Sequence, residues 1–303
     1  MRAGRLISPT LAVALSTLFW GTAWYPMRAL QERGLDPDWA VAVMFGALAL
    51  VLAPLIWRAR ARLSGHWRAI GWIGLTGGVA MTCYYLGVTL TTVARATLLF
   101  YLAPAWTTLI EFLALRRPIG LTRGFELALG FAGLVVILGP GGGEGGSVNL
   151  GDLFAFGAGA LFALSSFLIH RHPAPGAVAF TWAWAVGSAL SAWLAGALYN
   201  PDGLERALAA ANSLTATFLP AAALGTLLFL PMNLLTLWGA ARLTPTRLML
   251  LLMCEVGIAF ASSAILADDP FGPREFFGCA LILSATLVEP LRQRFASPAR
   301  HAG

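Results

Sequence analysis

Ten long apolar stretches, separated by short polar pieces, dominate this sequence. Each is close to the twenty or so residues that an α-helix needs to cross the roughly 30 Å hydrocarbon core of a bilayer. They run continuously rather than alternating in polarity, which excludes a transmembrane β-barrel. The pattern predicts an all-α polytopic membrane protein with ten transmembrane helices. The ten stretches are Pro9–Leu30, Pro37–Trp57, Trp67–Leu90, Ala94–Leu115, Leu121–Gly139, Leu150–His170, Gly176–Tyr199, Thr215–Ala240, Thr244–Leu266 and Pro273–Leu291.

The composition agrees with a surface that faces lipid. Hydrophobic residues make up 58% of the chain and charged residues only 11%, against about 25% charged in an average soluble domain. The formal net charge is +6, and all 20 basic residues are arginine. These arginines lie in short pieces between the apolar stretches, so they indicate orientation in a membrane rather than binding to nucleic acid. The 3 cysteines show neither a disulfide framework nor metal-ligand spacing.

The distribution of arginines predicts the orientation of the chain. If the N-terminus is cytoplasmic, five of the 20 arginines face outwards and the remaining fifteen face the cytoplasm, as the positive-inside rule requires. Ten spans then return the C-terminus to the cytoplasm. We therefore predict a multi-pass protein of a bacterial-type inner membrane with both termini cytoplasmic. The five outward arginines are Arg28, Arg33, Arg95, Arg206 and Arg274.

A weak internal repeat lies beneath the ten stretches. When residues 93–136 are laid on residues 245–288, Arg95 meets Arg247 and Phe125 meets Phe277. Five helices followed by five helices place the two halves in opposite membrane orientations, which is an architecture of secondary transporters with a substrate site between the halves. We predict inverted repeats over residues 8–140 and 149–292, joined by the glycine-rich linker Gly139–Gly146. Chance similarity between apolar helices is the alternative.

Five short motifs stand out along the chain. They are Phe-Trp-Gly-Thr-Ala-Trp at 19–24, Tyr-Tyr-Leu-Gly-Val-Thr at 84–89, Ala-Arg-Ala-Thr-Leu-Leu at 94–99, Leu-Ala-Pro at 102–104 and Gly-Asp-Leu at 151–153. These motifs resemble those of the drug/metabolite transporter superfamily, in the ten-helix group built from two EamA-type repeats. Within that superfamily the chain is most similar to the aromatic amino acid exporters, through its ring-rich helices and the first-helix Gly-Thr-Ala-Trp-Tyr. The family's fourth-helix Leu-Glu-Pro is split here, because the first copy has Ala103 before proline and the second keeps Glu255 before Val256. The resemblance implies the ten-helix fold and the transport of small metabolites.

Polar and aromatic side chains recur on one face of several predicted helices. A polar stripe on a membrane helix cannot face lipid cheaply, so it faces protein or a wet cavity. Helix packing is the alternative for small and hydroxyl residues, whereas large rings hold helices apart and their polar edges need partners. We expect the rings to converge on a central cavity, where Trp24 and Tyr101 bound the substrate. The candidate substrate-binding residues are Trp20, Trp24, Tyr84, Tyr85, Tyr101, Phe162, Ser165, Ser166 and Asn233.

Glu111 and Glu255 carry carboxyl groups inside predicted spans. Placing an acidic side chain at the bilayer centre costs on the order of 2.5 kcal/mol or more in free energy, so such a residue is expected to have a partner or a function. Glu255 could be a proton site, could attract an ammonium group, or could be a neutral acid bonded to a neighbouring helix. Glu111 could equally pair with Arg116 or Arg117. Both are candidate gating or proton-linked residues.

Together, these patterns predict a secondary transporter that exports small metabolites by alternating access. Amino acids are the favoured substrates, with aromatic and neutral ones first and with broad specificity. A multidrug, nucleoside or other metabolite exporter of the same superfamily is the alternative, and a non-transporting membrane scaffold is an alternative of another class. The sequence lacks a nucleophile elbow, a His-Glu metal spacing and paired carboxylates, so we predict neither an enzyme nor a cofactor or metal. The expected partners are the substrate and the lipid bilayer, with no nucleic acid, and the protein is expected to be a monomer or loose dimer.

Overall fold

The computed structural model describes residues 8–116, 120–138, 147–210, 214–243, 251–252, 254–266 and 272–296. These residues form α-helices joined by short turns, and no strand occurs among them. The predicted linker Gly139–Gly146 and the start of the ninth predicted span lie outside the described residues. In the first half of the chain the helices are α1 (Pro9–Thr22), α2 (Trp24–Glu32), α3 (Pro37–Leu63), α4 (Trp67–Leu90), α5 (Val93–Phe100), α6 (Ala103–Leu115) and α7 (Leu121–Leu138).

The described residues of the second half are also helical. The piece between the seventh and eighth predicted spans contains a short helix. A π-helical segment, Leu224–Phe229, interrupts the eighth predicted span. The helices are α8 (Leu150–Arg171), α9 (Ala177–Tyr199), α10 (Pro201–Ala210), α11 (Leu214–Ala223), α12 (Leu230–Ala240), α13 (Cys254–Leu266) and α14 (Pro273–Ala296).

Five helical stretches of the described chain are long and apolar enough to cross a membrane, judged by length and composition. The first of them contains the turn between α3 and α4, and so covers two of the ten predicted spans. The length and composition of these five stretches are those of a multi-pass helical membrane protein. The full count of ten spans stays a prediction. The five stretches are Pro37–Leu90, Arg95–Ala114, Leu150–Arg171, Ala177–Tyr199 and Phe218–Ala240.

Three predicted spans are broken rather than straight, and each break lies next to a proline. A proline has no backbone N–H, and its ring crowds the carbonyl four residues earlier, which interrupts an α-helix. Pro26 follows the break between α1 and α2 at Ala23, and Pro231 follows the π-helical segment. In the same way α5 ends at Phe100, four residues before a proline. The breaks divide the predicted first, fourth and eighth spans into shorter helices.

Close backbone packing joins α4 to α9. A Cβ atom placed on Gly78 would lie 2.5 Å from the Cα atom of Gly187, and one on Gly74 would lie 2.7 Å from the carbonyl oxygen of Ala183. Only glycine permits backbones to approach so closely, as is usual where membrane helices cross. Elsewhere α4 also packs on α8, α3 on α9, α7 on α14, and α1 on α12 and α13. These contacts bring helices of both halves around one buried centre.

Candidate functional site

A closed cavity lies at this centre, where helices from both halves meet. Its volume is about 20 Å³, which is room for about one water molecule. Among the described lining residues, Glu255 carries the one carboxyl group, and aromatic rings form most of the remaining wall. The lining residues in the described chain are Trp20, Met81, Tyr84, Phe100, Tyr101, Ala103, Phe162, Thr236, Leu252 and Glu255. Five of the candidates from the sequence, namely Trp20, Tyr84, Tyr101, Phe162 and Glu255, therefore share this cavity.

Tyr101 and Glu255 form the polar centre of the cavity. The hydroxyl of Tyr101 lies 2.6 Å from the carbonyl oxygen of Leu252 and 2.9 Å from Oε2 of Glu255. A phenol has one hydrogen to donate, so it cannot donate to both oxygens at once. Both contacts are hydrogen bonds together only when Tyr101 donates to Leu252 and a protonated Glu255 donates to Tyr101. The geometry of this conformation thus accommodates a neutral carboxyl group.

Trp20 links α1 to α12 on another wall of the cavity. Its indole Nε1 donates to the hydroxyl of Thr236 over 2.9 Å, and the hydroxyls of Thr236 and Ser16 are 2.9 Å apart. Thr236 also contacts the carbonyl oxygen of Met232 at 3.0 Å. The polar edge of Trp20 is therefore satisfied by protein, while its ring faces the cavity.

Trp24 lies outside the cavity, although it follows Trp20 by one helical turn. The break at Ala23 separates the two indoles, and Trp24 Nε1 donates to the hydroxyl of Ser262 on α13 over 2.9 Å. The guanidinium of Arg28 lies 5.4 Å from the Trp24 ring centre. Trp24 therefore links α2 to α13 and does not line the cavity.

Tyr85 and Asn233 are fully buried beside the cavity, and each carries an unpartnered polar atom. The Tyr85 hydroxyl and Asn233 Oδ1 have no hydrogen-bond partner among the described residues. Asn233 Nδ2 donates to the carbonyl oxygen of Phe229 over 2.8 Å, and the Tyr85 ring contacts Tyr84, Phe45 and Phe229. Buried polar atoms are nearly always bonded in proteins, so these two are available to a ligand or to water.

The remaining candidates are not brought to the cavity. Ser165 accepts a hydrogen bond from Trp184 Nε1 over 3.0 Å and donates to the carbonyl oxygen of Ile73 over 3.2 Å, which ties α8 to α4 and α9. Ser166 is half-buried on the same helix. Glu111 is half-buried on α6 and lies close enough to His170 for electrostatic interaction. These contacts give Ser165 a packing role.

Sequence reasoning missed a buried ion pair between the halves. Arg95 on α5 contacts Asp152 on α8 through two hydrogen bonds of 2.5 and 3.1 Å, and both side chains are almost fully buried. Thr91 donates to the same carboxylate over 3.1 Å, and Asn149 forms a capping box with Asp152. The spacing of Asn149 and Asp152 indicates the start of α8 but not the partner of Asp152, because a helix N-cap with an acid at the third position is a common capping pair.

One protein-family model matches part of the chain. Residues 7–139 match the EamA-like transporter family. A search of curated proteins finds no match.

Seventeen chains of solved structures are similar to this protein. One, described only as a crystal structure of a protein, is 18% identical, covers 95% of this chain and 98% of its own, and has a TM-score of 0.61. At this identity the likeness shows a shared fold and nothing about substrate. The comparisons therefore show a family match over residues 7–139 and a shared fold over most of the chain.

Proposed function

We propose that this protein is a secondary transporter of ten spans in two inverted EamA-type repeats, which exports amino acids across a bacterial-type inner membrane. The observation that carries the proposal is the closed central cavity, walled by rings from both halves and holding one carboxyl group. Secondary transporters with inverted repeats bind substrate at such a place, between the halves. Both termini are proposed to be cytoplasmic, as the arginine distribution favours.

The helix pairing supports the repeat. In an inverted repeat each span of the first half has an equivalent in the second half, so that α1 corresponds to α8 and α4 corresponds to α12. The contact of α4 with α8 is then equivalent to the contact of α12 with α1. The contact of α5 and α6 with α8 becomes that of α13 with α1, while the pairs α3 with α9 and α7 with α14 map onto themselves. A pairing pattern that is unchanged by this exchange is expected of two repeats related by a pseudo-twofold axis.

The chemistry of the cavity suits an amino acid with a bulky side chain. Glu255 can attract the ammonium group, and the rings of Phe100 and Phe162 can cover an apolar or aromatic side chain. The unpartnered hydroxyl of Tyr85 and the amide oxygen of Asn233 are buried nearby. Ligand pockets in proteins usually have volumes of about 300–1,000 Å³, so substrate binding requires this cavity to expand. We place the closed conformation between the outward-open and inward-open states.

Glu255 is the proposed proton-linked residue. A protonated Glu255 fits the closed cavity, because Tyr101 can then satisfy Leu252 and the carboxyl group together. An arriving ammonium group favours the ionised carboxylate, so substrate binding releases this proton to water. Glu111, toward the C-terminal end of α6, is the second candidate for a proton-linked residue.

A multidrug exporter is the second candidate function, and one observation favours it. In the part of the chain that the structure describes, the cavity lining has a carboxyl group but no arginine or histidine for the carboxylate of an amino acid. An aromatic amine without a carboxylate therefore also fits.

Uptake into proteoliposomes tests these proposals. Labelled phenylalanine and threonine are compared with a cationic aromatic dye, with and without a pH gradient, for the wild type and Glu255→Gln. Amino acid flux in the wild type is expected, and Glu255→Gln should retain exchange but lose the drive by the gradient. Flux of the dye alone would favour the multidrug function, and no flux of any compound would contradict transport.

A further inference from the structure

The corner between α3 and α4 carries a dense group of exposed arginines. Arg58, Arg60 and Arg62 lie in the last two turns of α3, and Arg68 lies in the first turn of α4. All four are exposed. We call these four residues the arginine corner. A 3₁₀ turn, Ser64–His66, connects its two sides.

The arginine corner has no acidic neighbours along the chain. No aspartate or glutamate occurs from residue 39 to residue 110. Among the described residues, no carboxylate lies within ion-pair distance of these four arginines. Their positive charges therefore face the surroundings without compensation. Such a surface attracts anions.

Two exposed indoles lie at equal depth beside the arginines. Trp57 is 68% exposed and Trp72 is 58% exposed. They lie seven residues before and six residues after the turn, so each is about 10 Å from the tip of the corner at a helical rise of 1.5 Å per residue. The guanidinium of Arg60 lies 4.2 Å from the ring centre of Trp57. Indoles at the boundary between headgroups and acyl chains, with arginines further out, match the layers of a lipid leaflet.

The corner is also held rigidly. Ile56, Leu63 and Ile70 are buried and pack with Ala179 and Ala183 at the start of α9. Trp67 contacts the ring of Trp182 with ring centres 6.2 Å apart. Orientation in the membrane requires positive charge but no fixed arrangement of it. A packed corner that presents four arginines and two indoles is a preformed surface.

We propose that the arginine corner is a binding site for an anionic phospholipid. The arginines bind the headgroup phosphate, because a guanidinium forms paired hydrogen bonds with phosphate oxygens. The acyl chains lie against Trp57 and Trp72. This site is separate from the central cavity and does not depend on the identity of the transported substrate.

Lipid-dependent thermal unfolding of the purified full chain in a neutral detergent tests the site. Phosphatidylglycerol is titrated against phosphatidylcholine, with glycerol phosphate as the free headgroup. We expect phosphatidylglycerol alone to raise the unfolding midpoint of the wild type. In the variant R58Q/R60Q/R62Q/R68Q the concentration needed for the same shift should rise by about tenfold or more. Lysine at all four positions should restore the response only in part, because an ammonium group supplies the charge but not the paired hydrogen bonds.

The matched control removes four exposed arginines from separate helix ends, as R33Q/R116Q/R171Q/R242Q. This control should respond to phosphatidylglycerol as the wild type does. The proposal is overturned if the corner variant keeps the full shift, if the control loses as much, or if the wild type does not respond. An equal shift with glycerol phosphate would also overturn it, since the site would then bind free anions rather than lipid.

Discussion

At the scale of single residues, the hydroxyl of Tyr101 is the contact that joins α5 to α13 inside the cavity. Tyr101→Phe removes a buried hydroxyl group, so the carbonyl oxygen of Leu252 loses a donor and the carboxyl group of Glu255 loses an acceptor. We expect a loss of about 1–3 kcal/mol in the free energy of unfolding. Unfolding by a denaturing detergent, followed by circular dichroism, measures this loss.

Tyr25→Phe is the matched control, because the Tyr25 side chain is 49% exposed. It should change the free energy of unfolding by less than about 0.5 kcal/mol, as surface substitutions usually do. Equal effects of the two substitutions would contradict a special role for the Tyr101 hydroxyl.

Trp20 and Trp24 form a second matched pair at this scale, because they are the same residue one turn apart. Trp20→Leu removes part of the cavity wall, so flux of phenylalanine should fall by about tenfold and flux of threonine less, for a ring worth about 1–3 kcal/mol. Trp24→Leu disrupts a contact outside the cavity and should affect both substrates equally. Proteoliposome flux per folded protein measures both. A selective loss with Trp24→Leu instead would place the substrate on the other side of the break.

The sequence could predict the rings of the site but could not separate those that face the cavity from those beside it. Trp20 and Trp24 share a face on an unbroken helix, and the break before Pro26 removes that relation. Tyr101 and Glu255 were predictable as candidates because a polar group in an apolar span is costly unless it has a partner or a function. The pairing of Arg95 with Asp152 was not predictable, because the partner of a buried charge is set by tertiary packing rather than by spacing.

At the scale of helices, the crossing of α4 and α9 depends on glycine. Gly78→Ala would force its Cβ atom against the backbone of Gly187, so we expect destabilisation of about 1–3 kcal/mol from overpacking. Gly71→Ala, on the same helix with open space around it, is the control and should leave stability unchanged or slightly raised. Detergent unfolding compares the two variants. A stable Gly78→Ala protein would show that the two helices can separate at no cost.

The buried pair of Arg95 and Asp152 also belongs to the helix scale. Removing one partner leaves an uncompensated buried charge, so Asp152→Asn should cost about 3–5 kcal/mol, while Arg95→Met with Asp152→Leu should cost much less. The measurement is again the free energy of unfolding. A double variant as damaged as the single one would mean that the pair contributes through more than its charges.

At the scale of the whole molecule, the arginine distribution predicts that the turn between α3 and α4 is cytoplasmic and that α10 is outside. Single cysteines in place of the exposed residues Arg60 and Glu205, in a cysteine-free background, test this in intact cells. We expect a membrane-impermeant thiol reagent to label the cysteine at position 205 and to reach that at position 60 only after the cells are opened. Labelling of both from outside would contradict the orientation and, with it, the inverted repeat.

The proline breaks have a mechanical consequence for the whole molecule. Trp20 lies just before the break in the first predicted span, and Tyr101 lies at the break in the fourth, so two cavity walls are built from joints. A short half-helix can pivot at a broken hydrogen bond with little elastic energy, whereas the glycine-packed crossing of α4 and α9 resists bending. Deformation caused by an entering ligand is therefore concentrated at the jointed walls. The stiff crossing serves as the frame against which they turn.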